Sequence, residues 1–205
     1  VLIDSGLGSG TRVARVAIEE RLHNVAEGVI DADLDSSPGG SCHYPLKLGE
    51  RHVILANIKG PGRFAMNVCS GSFPLAGQEH VLAALRAQVR GEPSRLVGTV
   101  RLSPSRAPVS GATITLQSPE HRFETTSKAS GAYEILELPP GRYALKVAKP
   151  GLTPDDDFNY RWSGRLVLDP KTNVVGPDRD EPRGTVLIRD RACLFWDLAF
   201  RAPPP

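Results

Sequence analysis

Three cysteines, five histidines and one run of carboxylates are the side chains of this 205-residue chain best able to ligate a metal or attack a substrate. Their spacing argues against both uses. His23, His43, His52, His80 and His121 are scattered. None stands in the i, i+4 pair, or at the short distance from Cys or carboxylate, that builds a zinc site, and His43 beside Cys42 comes nearest. No metal is expected. The stretch DDDFNYRW sets Asp155, Asp156 and Asp157 ahead of Asp178, Asp180 and Glu181. These are oxygen ligands of the kind calcium takes, yet the glycine and ligand spacing of a calcium loop are missing, so a solvated acidic loop is expected. In the same stretch Phe158, Tyr160 and Trp162 recur at period two. Such a triplet is either one face of a buried strand or a flat platform for the apolar faces of sugar rings.

Nucleophile and cofactor patterns are also lacking. Ser70 and Ser72 in CSGSF lack the strand-to-helix elbow of esterases, and spacing assigns them no His and Asp partners. The glycines of GLGSG precede no helix and so lack the positive dipole end a phosphate needs. With no paired catalytic carboxylates either, the chain is expected to be no enzyme and to use no cofactor. A formal charge of +2, spread without a basic block, makes nucleic acid an unsuitable partner. No apolar run approaches the roughly 20 residues that span a bilayer. The chain starts at Val1, inside the apolar VLI, which points to an upstream segment already removed. The three cysteines are either buried thiols or one bridge and a leftover.

The elements that would hold these residues are mostly strands. Gly 20 and Pro 18 indicate a turn-rich chain. Residues 1–4, 12–20, 29–35, 52–58 and 64–69 read as strands; in VIDADLD, Ile30, Ala32 and Leu34 alternate with Asp31, Asp33 and Asp35. GQEHVLAALRAQVRG changes to helical period, with Val81, Leu82, Leu85 and Val89 on one face, Glu79 in the first turn and Gly91 at the close. RGEPS is a short linker. From Leu96 the strand period returns for about eight strands, the pattern of an antiparallel sandwich. Within it Ala112, Ile114 and Leu116, and again Tyr143, Leu145 and Val147, face inward. In CLFWDLAF the alternation sends Leu194, Trp196, Leu198 and Phe200 inward. Cys193 then lies on a half-covered face, either as a free thiol or paired with a cysteine of an upstream segment. LPPGRYALKV is a corner: Pro139 and Pro140 stop one strand, and Gly141, free to take a positive φ, turns the chain into the next.

The second half resembles the carboxypeptidase regulatory-like family, a transthyretin-like sandwich, through LVGTVRL, APVSGATITLQ and FETTSKASGAYEILELPPGRYALKVAKPGL, over roughly residues 95 to 152. That resemblance implies an accessory β domain without catalytic residues, a spacer or docking surface in secreted and envelope proteins. The first half is similar to the netrin-like domain shared with tissue inhibitors of metalloproteinases, a five-stranded OB barrel with a helix, through SCHYPLKLGERHVILA and NVCSGSFPLA. In secreted bacterial proteins that join the two domains the corresponding cysteines pair, which implies a disulfide between Cys42 and Cys69. Each of these cysteines sits in a turn beside a strand, and chain entropy puts the stabilisation from closing that loop at about 3.5 kcal/mol. Inhibitors of the netrin-like type hold the protease zinc through an N-terminal cysteine, where this chain has Val1.

The resulting expectation is mainly β: an OB-type barrel with one helix over residues 1–91, then an antiparallel transthyretin-like sandwich over 92–205 with an insertion at about 153–183. The expected role is non-catalytic binding or scaffolding of a protein partner in a secreted, periplasmic or cell-envelope setting. The alternatives are regulation or inhibition of an extracellular protease, and carbohydrate binding with Phe158, Tyr160 and Trp162 as the ligand surface.

Overall fold

Alternating apolar and polar residues become strands in both halves of the chain, and the turn residues between them become corners. The computed structural model describes residues 3–4, 12–22, 28–34, 46, 49–54, 57–60, 63–66, 72–156, 159, 166–169, 174–176, 184–190 and 192–202. Two compact units emerge, Val1–Leu82 and Ala83–Pro205. Their division falls inside the helix, whereas composition suggested a linker after Gly91.

The first unit contains β1 (Ile3–Asp4), β2 (Arg12–Ala17), β3 (Val29–Leu34), β4 (His52–Val53), β5 (Asn57–Gly60), β6 (Arg63–Met66) and β7 (Phe73–Pro74). Five of these form one sheet in the order β1-β2-β3-β6-β5. Within it β3 and β6 are parallel and the remaining neighbours antiparallel. The expected strand over 52–58 is two strands in different sheets, because β4 pairs with β7 and β5 with β6.

Helix α1 (Glu79–Val89) carries acidic Glu79 in its first turn, where it favours the positive end of the helix dipole. Its buried stripe is Val81, Ala84, Leu85 and Gln88, while Val89 is 48% exposed, so the face is rotated from the one read in the sequence. Gly91, at φ 76, ends it. The Gly91 N–H donates to the Gln88 carbonyl at 2.9 Å and the Glu92 N–H to the Ala87 carbonyl at 3.1 Å, the Schellman arrangement.

The second unit holds β8 (Arg95–Ser103), β9 (Thr113–Gln117), β10 (Arg122–Thr126), β11 (Ala132–Ile135), β12 (Gly141–Ala148) and β13 (Thr153–Pro154). It continues with β14 (Leu166–Asp169), β15 (Val174–Gly176), β16 (Thr185–Ile188), β17 (Cys193–Phe195) and β18 (Leu198–Arg201). One sheet runs β10-β9-β12-β16, and the other β13-β18-β8-β17-β14-β15 with β11 also paired to β8. Leu96, Val100, Ile114, Leu116, Tyr143, Leu145, Trp196 and Phe200 belong to one core. Most pairs are antiparallel, but β17 and β18 run parallel to β8. No hairpin ties them to β8, so nothing local fixes their direction. The insertion is partly strand: β13 lengthens one end of the second sheet, and β14 and β15 extend the other as a hairpin.

The LPPG corner is built differently from the expectation. Ile135 pairs with Leu96 and the Leu138 N–H donates to the Ser94 carbonyl at 2.9 Å, which leaves one extra residue on this strand, a bulge. Glu137, at φ 55, takes the left-handed conformation there, not Gly141. Two successive prolines fix φ, so the reversal has to be made before them. Gly141 simply opens β12, and the Tyr143 hydroxyl donates back to the Pro139 carbonyl at 2.9 Å. That bond is the tyrosine corner of β-sandwiches.

Candidate functional site

The polar side chains that sequence alone left loose converge on the last strands. β8 bonds β17 along Arg95–Val97 and β18 along Val100–Ser103. Between these runs the Trp196 carbonyl leans on Gly98, where a Cβ would lie 2.0 Å from its oxygen and 2.9 Å from the Tyr133 ring. Only glycine fits. The buried Tyr133 hydroxyl donates to the same carbonyl. Burial, and next the nearby Asp197 charge, hold this phenol well above its ordinary pKa, so it remains a donor. Asp197 Oδ1 accepts from the Thr99 N–H at 2.9 Å and from its hydroxyl at 2.6 Å. On the other side of Trp196 the indole N–H donates to the Asn159 carbonyl at 3.0 Å.

Asn159 is itself fully buried. Its side-chain oxygen accepts the Ala199 N–H at 2.6 Å and its amide nitrogen donates to the Ala199 carbonyl at 3.1 Å. The Asp155 N–H donates to that carbonyl too, at 2.9 Å. Asp155 is 5% exposed and accepts from Arg201 at 2.7 Å. This corrects the expectation of a solvated acidic loop for Asp155: its backbone continues the β13 ladder, which carries its carboxylate under the end of β18. Asp156 is exposed.

Cys193 corrects a second expectation. Its thiol is free and 0% exposed, not half-covered. Cys193 and Phe195 are buried along with Leu194 and Trp196, so both faces of this strand are covered. Burial pushes the thiol pKa up, opposed by the Arg95 charge and reinforced by that of Glu134. A thiol so protonated and enclosed is a poor nucleophile, and a second cysteine reaches it only if the strand opens. Arg95 donates to Glu92 at 2.6 Å, and Arg90 grips the same carboxylate at 2.6 Å. These hydrogen bonds, that from Arg90 first, hold the Glu92 carboxyl below the ordinary range.

Cys42, Cys69, Phe158, Tyr160 and Trp162 lie outside the described residues, as do His43 and Ser70. Ser72 is buried. Among the described residues no three His, Cys, Asp or Glu side chains are grouped to hold a metal ion. The described residues contain no helix long and apolar enough to cross a membrane. Sequence reasoning missed Asn159 and Gly98. An asparagine amid aspartates and aromatics was the one visible sign of the former.

Residues 95–170 match the carboxypeptidase regulatory-like domain family. The sheets continue beyond the matched span: β16 joins β12, and β17 and β18 join β8. Among solved structures, the Bacillus anthracis TIE protein is similar over 54% of this chain and 17% of its own length, at 13% identity and a TM-score of 0.36. Hydroxyquinol 1,2-dioxygenase from Pseudomonas putida DLL-E4 is similar over 55% of this chain and 57% of its own, at 13% identity and a TM-score of 0.30. The chain thus spans less than two thirds of either. No curated protein matches.

Proposed function

We propose that this chain is a non-catalytic binding or scaffolding protein of a secreted or cell-envelope setting, with a netrin-like OB-type domain ahead of its regulatory-like domain. The observation that carries the reading is the regulatory-like match at residues 95–170, in a sandwich whose buried reactive groups are occupied by structural bonds. Tyr133 and Asp155 hold backbone and arginine, and Cys193 is enclosed. The OB-type reading of the first unit is supported by a meander, β1-β2-β3, joined through a parallel β3–β6 pair to β5. A disulfide between Cys42 and Cys69 belongs to the same proposal. Thiol titration of the unfolded, unreduced chain is expected to find one free group, and three would remove the bridge.

The partner-binding surface in this proposal lies within the 155–183 segment beyond the buried Asp155 and Asn159, at residues 160–183. Replacing residues 160–183 by a short Gly-Ser linker, which spares Asp155 and Asn159, is expected to abolish capture of a partner from extracellular extracts while the sandwich still unfolds cooperatively. Undiminished capture would move the surface elsewhere, and turnover in a hydrolase substrate panel would sink the non-catalytic reading.

A further inference from the structure

We propose that β10 is the edge through which two copies of this chain pair, antiparallel and in a register centred on Phe123. β10 ends the β10-β9-β12-β16 sheet, and at five residues it is the longest edge strand among the described residues. Its pairing with β9 is regular, from Arg122 opposite Gln117 to Thr126 opposite Thr113. Other edges carry guards that β10 lacks: β13 ends in Pro154, and β5 has a register shift against β6. The Ser118 N–H donates to the His121 carbonyl at 2.8 Å and the Ser127 N–H to the Ala112 carbonyl at 2.9 Å, which fixes the phase of the ladder. Phe123 and Thr125 therefore turn their N–H and C=O toward β9, while Arg122, Glu124 and Thr126 turn theirs outward. Among the described residues nothing pairs with that outward row, and the three side chains are exposed.

The side chains select a second copy as the occupant. With a two-fold axis at Phe123, Arg122 of each copy lies opposite Glu124 of the other in a hydrogen-bonded pair, so backbone bonds and opposite charges are matched together. Moving the axis by one residue sets Glu124 against Glu124 or Arg122 against Arg122, and like charges directly opposed are destabilising. Within one chain Arg122 already bonds Glu124 at 2.8 Å, with the two side chains 63% and 48% exposed. Both charges are thus at the surface and paired before and after association. On the inner face Phe123 meets its own counterpart in the closer, non-hydrogen-bonded pair, with Cα atoms about 4.5 Å apart. Its ring is only partly buried, packed against the core and edge to face with Tyr143 at 6.0 Å. A second ring would cover it and join the two four-stranded sheets into one. The seam uses none of residues 160–183, so it holds or fails independently of the binding surface proposed above.

Sedimentation of the full chain over a range of concentrations tests the pairing. A seam this narrow falls below the standard interface size, so a reversible monomer–dimer equilibrium is expected, with a Kd of roughly 10–100 µM. At about 1 mM the Arg122 and Glu124 amides are expected to exchange with solvent at least about fourfold more slowly than in dilute samples, while the Phe123 amide, bonded to β9 in both states, changes little. A chain that stays monomeric at about 1 mM would overturn the proposal, and so would a dimer whose Arg122 and Glu124 amides exchange as in the monomer. Arg122→Glu and Glu124→Arg are each expected to weaken the dimer about tenfold or more, and the two together to restore it to within about threefold. Both positions are exposed, so cooperative unfolding of the monomer is expected to persist in all three variants. A double variant as weak as the single ones would overturn the pairing about Phe123.

Discussion

In the β10-β9-β12-β16 sheet, side chains alternate between core and water. Along β12, Tyr143, Leu145 and Val147 are buried while Arg142, Lys146 and Ala148 are exposed. In the facing sheet, β8 is buried without a break from Arg95 to Val100. The first arrangement needs only a hydrophobic face, with water satisfying the other side. The second has no solvent on either face over that stretch, so its polar groups have to be satisfied within the protein. Thr99 is served by Asp197, the Trp196 carbonyl by Tyr133 and the indole by Asn159. One sheet of the sandwich thus tolerates surface change, and the other depends on named hydrogen bonds.

Matched substitutions in the two sheets would break or sharpen that contrast. The largest difference is expected at glycines. Gly98→Ala forces a methyl into the Trp196 carbonyl and is expected to cost about 3 kcal/mol or more in urea unfolding. Gly141→Ala, whose Cβ would meet the Tyr143 ring at an ordinary 3.5 Å, is expected to change stability by about 0.5 kcal/mol or less. Equal costs would erase the distinction. Next are the tyrosines: Tyr133→Phe leaves a buried carbonyl without its donor and is expected to cost about 2 kcal/mol, against about 1 kcal/mol for Tyr143→Phe at the corner.

Smaller effects are expected where the two sheets meet the chain's turns. Glu137→Gly relieves a left-handed glutamate and is expected to stabilise by about 0.5 kcal/mol, measured as a raised Tm, once glycine's greater unfolded freedom is subtracted. Glu92 supplies the smallest signal. Its carboxyl pKa is lowered in the folded chain, first by the hydrogen bond from Arg90 and then by that from Arg95. Its contribution is therefore complete above the ordinary carboxylate pKa and fades as pH falls through the lower folded value. The stability difference between the unaltered chain and Glu92→Gln should shrink on acidification across that window. A difference that stays constant there would leave the two arginine contacts without energetic weight.

Much of the first sheet was legible in the residues because its information is local. ATITL and YALKV show their inward faces by alternation, and β9 and β12 lie where that pattern puts them. The chemistry of the second sheet was not legible in the same way. Thr99 and Asp197 are 98 residues apart in sequence, Tyr133 and Trp196 are 63 apart, and no periodicity connects them. CLFWDLAF reads correctly for Leu194, Trp196, Leu198 and Phe200, all in the core, and misleads for Cys193, because alternation says nothing about a strand covered twice. Asp155 misleads for a related reason. A run of aspartates suggests water until the arginine that neutralises one of them, Arg201, is brought alongside.

The position of β17 and β18 bears on how such a chain is made. They are the last strands described, yet they sit inside their sheet, between β8 and the strands β13 and β14. During synthesis, or while a chain is threaded through a pore N-terminus first, residues 95–188 emerge with a vacant slot along β8. Trp196 and Phe200, both essentially solvent-free in the finished fold, are then still to come. For that interval β8 exposes an apolar, unpaired edge, the kind of surface that holding chaperones recognise and that neighbouring nascent chains can invade.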